Sequence, residues 1–307
     1  MNRREFFKIA GLSTAVIATL PRSFNVFAQQ ADYNGKLLIT IQAEGGWDVT
    51  QFCDPKVNVA GNEKINNWSD SGEVQSIGNI SYAPVASNQT FFEKYYRDML
   101  VINGIDAQTN SHTAGVIHNW SGRLSEGYPS LTALFSANKA PGLPISYINN
   151  GGYSQTADLI RYTRLEDVGN LENTIFPNQF RWDKDKSYMH QEEWDLLTQA
   201  RQARLSRLNS KSNLSVREKL ARSGYQSAIN STSALKDMAT TIQSAGELQG
   251  WEDGPYGGSS LKRQAQLALL AMKSGVSSAA DLVMWGYDTH DNHDAQHEWL
   301  FTNLTSS

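Results

Sequence analysis

The sequence has almost no cysteine. Cys53 stands alone among 307 residues, so no disulfide can form within one chain. Its type favours a small buried side chain over a nucleophile. A long apolar run is also missing: no segment reaches the roughly 20 residues that a spanning helix needs. Cationic excess is absent as well, with 27 Lys and Arg against 31 Asp and Glu and a net charge of −4. No basic stripe stands out, which disfavours nucleic acid as a partner. There is no internal repeat and no low-complexity tract. What remains, 40% hydrophobic and 19% charged residues, is the composition of an ordinary globular protein. A chain of this length can bury a core that needs no covalent staples.

The N-terminus carries the clearest local signal. Arg3-Arg4 is followed by Phe6-Phe7-Lys8, a modestly apolar stretch from Ile9 to Leu20, and a small-residue cleavage site at Val26 to Ala28. This pattern predicts a twin-arginine signal peptide over residues 1 to 28, export by the twin-arginine translocase, and a periplasmic or secreted product. The leader holds Arg3, Arg4, Lys8 and Arg22 against Glu5, so its removal takes the net charge from −4 to −7.

Three short apolar runs read as buried strands: Lys36 to Gln42, Asp98 to Gly104 and Asp281 to Tyr287. Helices are predicted over Ser111 to Leu124 behind a serine cap, over Pro129 to Ala137, and over Trp194 to Leu208. A long helix or broken pair spans Ser215 to Ser244, with Gly224 as its weak point. A buried helix runs from Ser260 to Gly275, and a last short helix reaches about Leu304. Residues 54 to 90 read as loop and small irregular structure, and residues 150 to 258 as a helical cap or insertion. Alternating buried strands and helices predict an α/β fold with a mostly parallel sheet, and such sheets bind ligands beyond the carboxyl ends of their strands.

Each predicted strand is followed by a residue suited to metal or hydrolytic chemistry: Asp48 after the first, Ser111-His112 after the second, Asp288 and His290 after the third. Carboxylate oxygen and imidazole nitrogen together suit a divalent metal such as zinc. A hydroxyl beside such an ion loses its proton more readily, which makes Ser111 the candidate nucleophile. Blander readings compete. Asp48 after Gly45-Gly46 can simply cap a turn, and Ser111 can simply cap a helix. His293 and His297 fall one helical turn apart, a pairing that is usually solvated. The coincidence of three strand ends, rather than any single residue, favours the functional reading.

The segments Gly45 to Asp48, Ser111 to Arg123 and Gly286 to His290, in this order behind a twin-arginine start, resemble the exported bacterial family known as domain of unknown function 1501. That family is similar to the alkaline phosphatase and sulfatase superfamily. The resemblance covers the two ends of the mature chain and not its middle. It implies a three-layer sandwich around a mostly parallel sheet and one or two divalent metals. Asp48, Asp288 and His290 become ligands and Ser111 stands near the nucleophile position, with His112 and His293 as further candidates. Thr113 stands where the family has Phe, Tyr287 where it has Trp, and His293 where it tends to have Gln. The family continues past this point with Glu-Phe-Gly-Arg and Asp-His-Gly motifs, so the resemblance implies a domain incomplete at its C-terminus. Two functions follow. One is a metal-dependent hydrolase of phosphate or sulfate esters, acting on a small-molecule or glycan ester. The other is a non-catalytic secreted binding or structural protein on the same fold.

Overall fold

The computed structural model describes residues 33–165, 172–173, 175–180, 182–245 and 261–306, so the predicted leader lies outside the described residues. In chain order the elements are β1 (Leu38–Ala43), β2 (Gln75–Ile77), β3 (Ile80–Tyr82), α1 (Asn88–Tyr95), α2 (His112–Ser121), α3 (Leu131–Lys139) and β4 (Tyr147–Asn149). There follow β5 (Tyr162–Thr163), β6 (Gln179–Phe180), β7 (Asp183–Ser187), α4 (Gln191–Asn209), α5 (Val216–Asn230), α6 (Thr232–Ser244), α7 (Leu261–Lys273), β8 (Ala279–Met284) and α8 (His293–Ser306).

The protein is α/β, with a four-stranded sheet of order β1-β8-β4-β5 whose neighbours all pair in parallel. Every residue of β8 is buried, as a central strand covered on both faces must be. Ala280, Leu282 and Met284 face the main core, with Leu267, Ala268 and Ala271 of α7 and Leu300 and Phe301 of α8. The alternate face carries Asp281 and packs against α3. Helices therefore flank both faces of the sheet.

Local chemistry explains most helix ends. Ser111 caps α2, and Gly122 closes it in the left-handed conformation at φ 67°. The Ser130 hydroxyl accepts from Ala133 N at 3.0 Å and starts α3. Ser215 and Glu218 form a capping box at α5. The predicted long helix over 215 to 244 is a broken pair, but it breaks at Ser231 and not at Gly224, which lies inside α5.

Two expectations differ from the structure. Asp98 to Gly104 is not a strand. Leu100 and Ile102 are 82% and 65% exposed, while Met99 and Val101 pack on the core. The segment alternates as a strand would, yet among the described residues its backbone finds no strand partner. The stretch 150 to 258 is also not wholly a cap. β5 belongs to the sheet, and Met238, Ala239 and Ile242 of α6 enter the main core. The hairpin β6-β7 and the helices α4 and α5 make up the more exposed remainder.

Candidate functional site

The parallel pairing of β1 with β8 brings their carboxyl ends side by side. Glu44 N donates to Met284 O at 2.8 Å, and Tyr287 N donates back to Glu44 O at 3.1 Å, so the ladder continues past both strands. The chains approach closely here because Gly45 has no side chain. It sits at φ 122°, and a Cβ on it would lie 2.3 Å from Asp288 N. Asp48 and Asp288 thus follow two strands that end together.

Asp48 does two things. Its Oδ1 accepts from Thr50 N at 2.8 Å, capping the short 3-10 turn Val49–Gln51, so the bland reading of this residue is correct as far as it goes. Its Oδ2 lies 3.1 Å from His293 Nε2. The other ring nitrogen of His293, Nδ1, lies 2.6 Å from Thr289 Oγ1. A hydroxyl, an imidazole and a carboxylate therefore stand in one hydrogen-bonded row. Burial pushes the Asp48 carboxyl up, but the hydrogen bonds from His293 and Thr50 outweigh it and hold the group below the ordinary carboxylate range.

His297 is not the solvated partner of His293 that its spacing suggests. It is fully buried, packed between Tyr287 and Phe301, and its Nδ1 accepts from Asp48 N at 3.2 Å. The cause is tertiary: α8 lays this turn against the sheet, so the ring one turn after the half-exposed His293 faces inward. Burial, aided by the neighbouring His293, lowers its pKa to about 4 and keeps the ring neutral.

A second group surrounds Asp288. His112 Nε2 lies 3.3 Å from its Oδ2, and His290 Nε2 lies 3.4 Å from its Oδ1. Glu44 is close by: burial raises its carboxyl, the charge of His112 pulls the other way, and its Oε2 is buried with no hydrogen-bond partner among the described residues. Ser111 is exposed, and its hydroxyl accepts from Ala114 N at 3.5 Å as a helix cap. No imidazole of the described residues hydrogen-bonds to it. Beside His112 opens a groove of about 600 Å³, lined by Ser111 and His112 at one part and by Ile41, Phe91, Val116 and Leu304 at others.

Of the residues singled out in the sequence, Asp288, His290 and His112 come together, and Asp48 and His293 form an adjoining pair. Ser111 borders the groove without touching either group. Among the described residues, no three His, Cys, Asp or Glu side chains stand ready to hold one ion. Thr289, Glu44 and Asp281 were not singled out. Asp281 is fully buried in mid-strand and accepts from Thr40 Oγ1 at 2.6 Å, from Asn149 Nδ2 at 3.1 Å and from the Tyr147 hydroxyl. A charge inside a continuous apolar run was its signal. Cys53 is partly buried, and burial raises its thiol pKa, which disfavours the reactive thiolate. No helix among the described residues is long and apolar enough to cross a membrane.

No family model, no curated protein and no solved structure matches the chain.

Proposed function

We propose that the acid and imidazole groups at the carboxyl ends of β1 and β8 form the site of a metal-dependent hydrolase of phosphate or sulfate esters. The observation that carries the reading is the meeting of Asp48, Asp288, His112, His290 and His293 at one end of a parallel sheet, from three separate stretches of chain. Ligands of open α/β sheets bind at this end. The resemblance to the alkaline phosphatase-like superfamily and its exported family, read from the same segments, supports the reading. So does the twin-arginine pattern, which suits a folded exported protein.

The donor set fits a divalent ion in kind. It offers carboxylate and imidazole, and one Glu44 oxygen is buried without a partner among the described residues. Asp48, Asp288 and His290 would hold the ion, with His112 as a further donor; His293 could join them only by giving up its contact with Thr289 or with Asp48. A bound ion would polarise an ester oxygen and ease the deprotonation of a hydroxyl or water. The chain's own residues supply the rest. Ser111 presents a hydroxyl at the start of α2, where the backbone N–H groups of a helix N-terminus favour an anionic ester group. Thr289 presents a second hydroxyl, whose proton His293 can accept while Asp48 holds the ring. Asp288 orients His112, which lines the groove, and His290.

Nitrophenyl phosphate and nitrophenyl sulfate turnover, with zinc titrated in, tests the reading. Ser111→Ala and Thr289→Val then separate the two hydroxyls. Loss of a nucleophile or its base lowers turnover by about 100-fold or more, and the hydroxyl whose removal does so is the nucleophile. Absence of turnover under every metal condition overturns the hydrolase. A second reading, binding without turnover, is favoured by the groove itself, whose walls are mainly apolar and suit contact more than chemistry.

A further inference from the structure

Thr289, His293 and Asp48 form one continuous hydrogen-bonded row. Thr289 Oγ1 stands 2.6 Å from His293 Nδ1, and His293 Nε2 stands 3.1 Å from Asp48 Oδ2. An ionised carboxylate only accepts, so it places the His293 proton on Nε2 and leaves Nδ1 to accept from the threonine hydroxyl. Thr289 and His293 are both partly exposed, the His293 side chain at 40%, while the Asp48 side chain is only 14% exposed. The buried end is held from behind. His297 Nδ1 accepts from Asp48 N at 3.2 Å, and the His297 ring lies against the His293 ring with centroids 4.1 Å apart. Beside the hydroxyl, the backbone N–H groups of Thr289 and His290 pair with no other group among the described residues, which leaves two donors for an oxygen that gains charge.

Charge decides what this row can act on by itself. The stretches that build the site, residues 37–53, 111–122 and 274–306, contain no Lys or Arg, and they bring in Glu44, Asp48, Asp288, Asp291 and Asp294. Among the described residues, only imidazoles pair with Asp48 and Asp288. A phosphate or sulfate ester is repelled by such a surface and needs an added cation to approach it. A carboxylic ester is neutral and needs none. We propose that Thr289, His293 and Asp48 also act without a metal, as the nucleophile, base and orienting acid of a carboxylic-ester hydrolase. Thr289 Oγ1 bonds to the ester carbonyl carbon and its proton passes to His293 Nδ1. The ester C–O bond breaks, and the alcohol leaves with that proton. Water then attacks the acyl-threonine and gives a proton to His293, which returns it to Thr289 Oγ1 as the carboxylic acid departs. This activity differs from the metal-dependent one in its substrate and in needing no ion, so the two stand or fall separately.

The experiment uses the full chain with nitrophenyl butyrate in excess EDTA, beside a fluorophosphonate probe whose adduct is mapped by peptide mass spectrometry. The expected result is turnover that EDTA leaves intact and an adduct on Thr289, formed as fluoride leaves the probe. Thr289→Val and His293→Ala each lower turnover by about 100-fold or more, whereas Thr289→Ser keeps it, all with unchanged circular dichroism. The comparison of serine with valine at residue 289 stands whether or not the histidine variant folds. Turnover in EDTA no greater than that of Thr289→Val overturns the proposal, and an adduct on Ser111 in place of Thr289 overturns it too. Zinc-dependent turnover of phosphate or sulfate esters without butyrate turnover in EDTA overturns this inference and leaves the metal-dependent reading standing. Butyrate turnover in EDTA with no phosphate or sulfate turnover under any metal condition does the reverse.

Discussion

Asp281 gives the sharpest stability prediction. Its carboxylate sits in the middle of the central strand with no solvent exposure and accepts from Thr40, Tyr147 and Asn149, which tie β1, β4 and β8 together on the face under α3. Asp281→Ala removes the acceptor and leaves three donors. Each unsatisfied buried donor costs about 1–3 kcal/mol. Thr40 is only part-buried, the Tyr147 hydroxyl keeps Ser130 at 3.2 Å, and the Asn149 amide keeps the Tyr147 hydroxyl oxygen at 2.8 Å and Tyr153 O at 3.3 Å, so the low end applies to all three. A total of about 3 kcal/mol follows, a large share of the roughly 5–15 kcal/mol that holds a domain. Asp281→Asn keeps the shape and costs less. The pH dependence has a definite sign. Burial raises the Asp281 pKa, so the folded state holds this proton to a higher pH than the unfolded chain does. The stability this adds is complete below the ordinary carboxylate range and is lost as pH rises through the folded value. The asparagine variant lacks that term, so its deficit against the parent grows as pH is lowered from neutral. Urea unfolding followed by circular dichroism at neutral and mildly acid pH measures both effects. An alanine penalty below about 1 kcal/mol, or an asparagine penalty independent of pH, would refute the reasoning.

Other outcomes follow from the same geometry. Gly45→Ala places a Cβ against Asp288 N at a positive φ, so the strand ends must part; it should cost about 2 kcal/mol or more in unfolding and disturb the site, whereas Gly46→Ala, with no neighbour within 4 Å, should cost only its backbone strain. His297→Ala should destabilise the fold by about 2 kcal/mol or more, because it opens a cavity between Tyr287 and Phe301, and a thermal melt reads it. Arg3→Lys with Arg4→Lys should block export and leave unprocessed protein in the cytoplasm, as cell fractionation shows; processed protein outside the cytoplasm would remove the twin-arginine assignment.

The sequence made some elements legible and others not, for physical reasons. β1 and β8 are near-continuous apolar runs and both are strands; β8 is buried throughout, as that mark implies, whereas β1 is a half-buried edge strand with Ile41 exposed. Helices with serine caps and a closing glycine read well, since capping is local. Residues 98 to 104 carry the same apolar mark and are no strand, because pairing is a long-range property that composition does not encode. β4 and β5 have three and two residues, too few to show a period. In the site, Asp48, Asp288 and His290 were accessible from the rule that ligands gather at strand ends. The row from Thr289 through His293 to Asp48 was half visible in the four-residue spacing of the first two. The burial of His297 was not, because it depends on how α8 rolls against the sheet.

Metal content of the purified chain tests the central claim most directly. The protein is equilibrated with zinc, freed of loose ion by gel filtration and analysed by plasma mass spectrometry, beside Asp48→Ala, Asp288→Ala and, as a control, His190→Ala at the exposed start of α4. The account predicts a stoichiometric ion in the parent and in the His190 variant, and loss of most of it in both aspartate variants while their circular dichroism is unchanged. A parent chain that retains no ion, or aspartate variants that retain it as the parent does, would contradict the account.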